Sequence, residues 1–182
     1  MINFIKDYIN EFFNVIKKAE IQKEKIVKIC NLLLKLKKKN TVYIFGNGGS
    51  NAIAAHFAMD LTNNTDVKCL SLNDPAIITC YANDFKFQNW ISRAILKYTT
   101  KNDILILISS SGKSKNMIEA IKAARIKKIK KIIVFTGFNK KNYMNVNSDI
   151  NFWIDSKNYN IIENSHQFYL LMIVDFLKKK KK

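Results

Sequence analysis

Proline and histidine are nearly missing from this 182-residue chain, which has one proline, Pro75, and two histidines, His56 and His166. So little proline excludes collagen-like and proline-rich architectures, and the 48% hydrophobic content is that of a globular chain rather than a disordered one. Only three cysteines occur, Cys30, Cys69 and Cys80. An odd number, widely spaced within apolar stretches, argues against a disulfide framework and for buried thiols in a reducing compartment. There is no C-x-x-C pair of the kind that builds a zinc knuckle. No apolar run approaches the roughly 20 residues of a membrane span, and the N-terminus lacks a short apolar core with a small-residue cleavage site. The expected location is cytoplasmic, with no membrane partner.

Acidic residues are also scarce, 14 against 31 lysines and arginines, for a formal charge of +17. Such an excess attracts polyanions. The lysines are nonetheless spread along helix faces and no nucleic-acid motif accompanies them, so nucleic acid is not the expected partner. The run Lys178 to Lys182 reads as a solvated helix end beside the C-terminal dipole.

Hydrophobic periodicity divides the chain into N-terminal helices over 1–39 and an α/β core over 40–182, expected to form a single domain. Apolar residues recur at helical spacing from Phe4 to Leu36, densely enough that these helices are expected to pack against another subunit. Strands are expected at Thr41–Phe45, Val67–Leu72, Asp103–Ile108, Lys131–Phe135 and Ile150–Ile154. Helices are expected at Asn51–Leu61, Ala76–Tyr81, Phe87–Tyr98, Lys115–Ile126 and Ile161–Leu177, with a polar turn at Asn83-Asp84. Strand alternating with helix calls for a doubly wound parallel sheet with helices on both faces. Ligands of such sheets bind beyond the carboxyl ends of the strands.

Two loops fall at those ends, Gly46-Asn47-Gly48-Gly49-Ser50 and Ser109-Ser110-Ser111-Gly112-Lys113-Ser114. Backbone N–H groups, a helix N-terminus and serine hydroxyls together suit an oxyanion, so the pair points to a phosphorylated small molecule. Neither loop fits a nucleotide fingerprint. Asn51 stands where a dinucleotide loop needs its third glycine, and Leu107 where a Walker A loop needs its first.

His56 and Asp60 stand at i and i+4 on one helix, and Glu163 and His166 at i and i+3 on the last. Brought together they would ligate zinc or move protons. Spacing alone equally allows His56 to be a packing residue and the others to be solvated.

These segments, with His56-Phe57-Ala58-Met59-Asp60-Leu61, Asn83-Asp84-Phe85 and Asn116, Ile118, Ala120 and Ala123, resemble the sugar isomerase (SIS) domain family, most of all its bacterial phosphoheptose isomerases. The resemblance implies a five-stranded doubly wound sheet in a homotetramer with sites at subunit interfaces. It also implies interconversion of sedoheptulose 7-phosphate and a heptose 7-phosphate through an enediol. By position, Asn47, Gly48, Gly49, Ser50, Asn83 and Asp84 would contact the sugar, and Ser109, Ser110, Ser111 and Ser114 its phosphate. His56 would be a zinc ligand, with Asp60 replacing the family's glutamate as base and ligand. Anchoring the last helix on His166 puts Glu163 at a family glutamine that touches substrate and metal, and Leu171, eight residues on, at the family's proton-transferring histidine. Leucine moves no proton, so Glu163, with His166 behind it, becomes the candidate second carrier, and His56, Asp60 and Glu163 the candidate zinc set. The alternative function is a non-catalytic SIS module that binds a sugar phosphate or a protein partner.

Overall fold

The computed structural model describes residues 1–181. Helices α1 (Ile2–Ala19) and α2 (Lys23–Leu34) lead into strand β1 (Val42–Phe45), followed by α3 (Gly49–Asn64) and β2 (Cys69–Leu70). Then come α4 (Pro75–Phe85), α5 (Trp90–Tyr98), β3 (Ile104–Ser109), α6 (Lys115–Ile126) and β4 (Lys131–Thr136). The chain ends with α7 (Tyr143–Asn147), β5 (Ile150–Trp153) and α8 (Tyr159–Lys181). All strand pairings are parallel, in the order β2-β1-β3-β4-β5, as the alternation of elements implied.

β1 and β3 are buried along their whole lengths, because helices cover both faces of the sheet. Alternate side chains serve the two layers. Val42, Ile44, Ile104, Ile106, Ile108, Ile133 and Phe135 pack beneath α1, α2, α3 and α8. Tyr43, Phe45, Leu105, Leu107, Ile132 and Val134 pack on the other face against α5 and α6, where the Trp90 ring meets Phe45 edge-on. Because β1 and β3 are neighbours while their following helices lie on opposite faces, the loops after them border one crevice, the switch point where such sheets take ligands.

Several local expectations change. Asn83 and Asp84 lie within α4 rather than in a turn, because Asp74 caps the helix, accepting from the Ala76 N–H at 2.8 Å, and Pro75 fits its first turn. α7 was not foreseen; Asn142 caps this five-residue helix by accepting from the Asn145 N–H. Cys30 and Cys69 are buried and free, and burial pushes the Cys30 thiol up to about 11 and that of Cys69 higher still. Cys80 is exposed, contrary to expectation, because α4 buries none of its residues. Among the described residues no helix is long and apolar enough to cross a membrane.

At the N-terminal edge of the sheet, buried Asp103 joins two strands. Its Oδ1 accepts from the Thr41 N–H at 2.8 Å, and its Oδ2 from the Thr100 N–H at 2.6 Å and hydroxyl at 3.0 Å. Asp103→Ala leaves those donors unpaired and is expected to lower stability by about 3 kcal/mol in urea unfolding, with Asp103→Asn losing less.

Candidate functional site

The loops after β1 and β3 enclose a small cavity of about 130 Å³ lined by Asn47, Ser50, Ser109, Ser110, Ser111 and Ser114, with Tyr159 and Glu163 from α8 closing it. Asn47 and Asn116 hold the loops together by a reciprocal amide pair, Asn47 Nδ2 donating to Asn116 Oδ1 at 2.9 Å and Asn116 Nδ2 to Asn47 Oδ1 at 2.8 Å. Ser109 and Ser114 hydroxyls stand 3.3 Å apart across the serine loop. Ser110 Oγ is buried with no partner. A buried hydroxyl without a partner is costly, and here it lies in a cavity beside the N-terminus of α6, whose first N–H groups have no intrahelical acceptor. Hydroxyls, an amide and the helix N-terminus, with no lysine in the lining, are groups that hydrogen-bond an oxyanion, and the Glu163 carboxylate marks the wall an anion would keep away from.

A larger cavity of about 360 Å³ adjoins it, lined by Gly49, Ala52, Ile53 and His56 from α3 and by Asn160, Glu163, Asn164 and Gln167 from α8. Glu163 lines both spaces. Its carboxylate, accepting from Ser50 Oγ at 3.4 Å, occupies the room beside Gly49 that a Cβ would take, so a larger residue there would displace the Glu163 carboxylate. His56 is held on both ring nitrogens: Nε2 lies 3.2 Å from Asp60 Oδ2, and Nδ1 3.4 Å from Gln167 Nε2. Partners on both ring nitrogens fix the orientation of the imidazole.

The structure therefore brings together Asn47, Gly49, Ser50, the serines of the second loop, His56, Asp60 and Glu163. Gly48 precedes α3 within the first loop. Asn83 and Asp84 stand apart, exposed on α4, with Asn83 Nδ2 donating to Asp84 Oδ1 at 3.0 Å and Cys80 as the other neighbour. His166 also stands apart. It is fully buried against the edge of Phe135, and its Nε2 lies 3.1 Å from the Thr136 carbonyl oxygen. A signal for this was present: Ile162, His166, Tyr169, Ile173 and Leu177 recur at helical spacing and are all buried, so His166 belongs to the apolar stripe of α8. It therefore does not face the cavity, which Glu163, Asn164 and Gln167 line from α8.

With this geometry in place, comparison with known proteins is informative. The family described as SIS domain matches residues 7–137. The chain belongs to the SIS domain family. Relatives include a phosphoheptose isomerase of Fusobacterium nucleatum, 30% identical over 98% of this chain and 95% of its own length. Another, from Glaesserella parasuis, is 36% identical over 73% of this chain and 68% of its own. The solved phosphoheptose isomerase GmhA of Neisseria gonorrhoeae superposes with a TM-score of 0.88 at 26% identity, covering 96% of this chain and 98% of that one.

In this SIS domain Gln167 reaches from α8 toward His56 on α3, its Nε2 3.4 Å from the ring Nδ1. Gln167 lines the larger cavity without having stood out in the sequence, and Asp175, further along α8, is exposed and lines neither cavity. Leu171 borders an apolar groove with Tyr8, Phe12 and Phe168, and Asn164 and Gln167 line both that groove and the larger cavity. Among the described residues no three His, Cys, Asp or Glu side chains cluster closely enough to hold a metal, so Glu163 does not complete a set with His56 and Asp60.

Burial holds the His166 imidazole down to about 4, although its bond to Thr136 works the other way. An unfolded histidine takes its proton near 6.5, so between those values the unfolded chain binds more protons and stability falls as pH drops. The urea midpoint should therefore fall between about pH 7 and about pH 5 by more in the wild type than in His166→Phe, which carries no such group.

Proposed function

We propose that this SIS domain, spanning the chain as one unit, is an aldose–ketose isomerase of a phosphorylated sugar, with sedoheptulose 7-phosphate as substrate and the cytoplasm as its place of action. The observation that carries the reading is the pair of adjoining cavities, one lined by hydroxyls and a helix N-terminus, the other by His56 and Gln167, with Glu163 shared between them. The names of the relatives, phosphoheptose isomerase, agree with it.

The phosphate sits among Ser109, Ser110, Ser111 and Ser114, where Ser110 Oγ supplies an unused donor. The sugar then extends past Glu163 and Asn47 toward His56. A base removes the proton from the carbon beside the carbonyl, the electron pair moves to oxygen as an enediol forms, and a second group returns a proton to the neighbouring carbon. Asp60, hydrogen-bonded to His56, is assigned the first step. Glu163, on the wall shared by both cavities, is the candidate for the second.

The His56 nitrogen and the Asp60 oxygen are donors of the kind zinc accepts, and zinc held by them would take the place of their mutual hydrogen bond. Bound there, zinc would polarise the sugar carbonyl. Glu163 is left free for proton transfer.

The assembly we propose is the homotetramer that the resemblance implies, and the exposed surfaces support association between copies. Phe4, Phe13, Phe168 and Met172 expose an apolar face on α1 and α8. α4 holds Asn83 and Asp84 away from the cavities of their own chain. A neighbouring copy would cover the first and receive the second at its site.

Proton NMR of sedoheptulose 7-phosphate in deuterated buffer, with and without zinc, tests the reading. Deuterium should enter beside the carbonyl while aldose signals grow, and Asp60→Asn should slow exchange by about a hundredfold or more. Glu163→Gln should stop product formation, as the loss of the second carrier requires. Sugar signals that broaden on contact with the protein but never exchange would instead support the non-catalytic binding module.

A further inference from the structure

Beneath the serine loop lies a buried polar cluster that neither loop motif accounts for. Thr136, the last residue of β4, is fully buried and uses every polar atom. Its hydroxyl donates to Asn145 Oδ1 at 2.7 Å and accepts from Asn142 Nδ2 at 3.2 Å. Its carbonyl oxygen accepts from the Ile154 N–H at 2.8 Å and faces His166 Nε2 at 3.1 Å. Facing a carbonyl, Nε2 must carry the proton, so His166 is the donor and its Nδ1 is bare.

The cluster touches both walls of the site. Asn142, 3% exposed, lies directly against Gly112 of the serine loop. Gly112 has φ +63° and a Cβ there would overlap the Asn142 amide, so loop and amide fit only because the residue is glycine. One residue beyond Thr136, the Gly137 N–H donates to the Ser110 carbonyl at 2.8 Å and fixes the serine whose hydroxyl is unpaired. At the other end His166 lies on α8 between Glu163 and Gln167. A rotation or slide of α8 would break its bond to Thr136 and carry both residues with it.

We propose that Thr136 is the tie between the phosphate-holding loop and α8, with Asn142 and His166 as positioning residues: Asn142 sets where the phosphate rests, and His166 sets how Glu163 and Gln167 stand relative to it. Buried networks of this kind are rigid when every member is satisfied, and loosen as a unit when one is removed. The inference rests on the phosphosugar reading, and makes a distinct demand: the two arms must fail differently.

Dissociation constants for inorganic phosphate and for sedoheptulose 7-phosphate, measured by calorimetry together with turnover, test it. Thr136→Val keeps shape and the carbonyl but deletes the hydroxyl bonds to Asn142 and Asn145. It should weaken both ligands by a similar factor, about tenfold, with turnover at saturation within about threefold of wild type. His166→Phe keeps the ring against Phe135 but deletes the donor. It should leave phosphate within about twofold, weaken the sugar phosphate selectively, and lower turnover by about ten- to a hundredfold. His166→Gln, which restores an N–H, should recover most of that loss and guards against a variant that fails to fold. Equal effects of the two arms on both ligands, or folded variants indistinguishable from wild type, would overturn the proposal. A wild type that binds both ligands but does not isomerise would refute the catalytic reading alone, since the two binding constants still decide this one. Failure to bind either ligand would refute both.

Discussion

The parallel pairing of β1 with β3, Val42 against Ile104 through Phe45 against Leu107, is the contact from which the rest of the site follows. It places the ends of two non-consecutive strands side by side, and each end is a loop rich in glycine or serine. Had β1 paired on that side with β2, the two loops would lie a strand apart and share no cavity. The pairing is fastened at the far edge by Asp103, which satisfies donors on both sides, and along its length by fully buried β-branched and leucine side chains facing two helical layers. Burial on both faces leaves no alternative register, because a one-residue slip would exchange the layers.

The second constraint is α8. Its buried stripe anchors it on the sheet through Ile162, His166, Leu170 and Ile173, and its adjacent face supplies Glu163 and Gln167. A histidine in that stripe is unusual for a buried position and remains neutral, because its one donor finds a carbonyl and its charge would find nothing. The division of labour between the two histidines is thus electrostatic. His56, beside a carboxylate in an open cavity, is oriented for use; His166, in an apolar layer, serves the architecture.

Much of this was legible in the sequence because local signals agreed with the global pattern. β-branched runs ending in glycine or serine located β1, β3 and the two loops, and the alternation of periods gave the parallel sheet. α7 escaped because five residues rich in asparagine carry no periodicity, and its cap, Asn142, is recognisable only once it is buried against Gly112. Asn83 and Asp84 looked like a turn on composition, yet a capped helix with Pro75 at its start absorbs them. In the last helix His166 draws attention because histidine is the commonest proton carrier, whereas Gln167, one residue later, carries no such signal and is the side chain that meets His56. Helical spacing of the surrounding apolar residues already placed His166 inside. The convergence of Glu163 on Gly49 depends on how closely α8 approaches α3, a tertiary property that no local signal encodes.

The central claim is geometric, that phosphate and reacting carbons lie in the two adjoining cavities with Glu163 between them. A crystal structure of the protein with sedoheptulose 7-phosphate tests it most directly. The account predicts phosphate oxygens within hydrogen-bond distance of Ser109, Ser110 and Ser114 at the start of α6, with the carbonyl end of the sugar beside His56 and Gln167. A phosphate bound outside the serine loop, or a sugar chain leading away from His56, would contradict it.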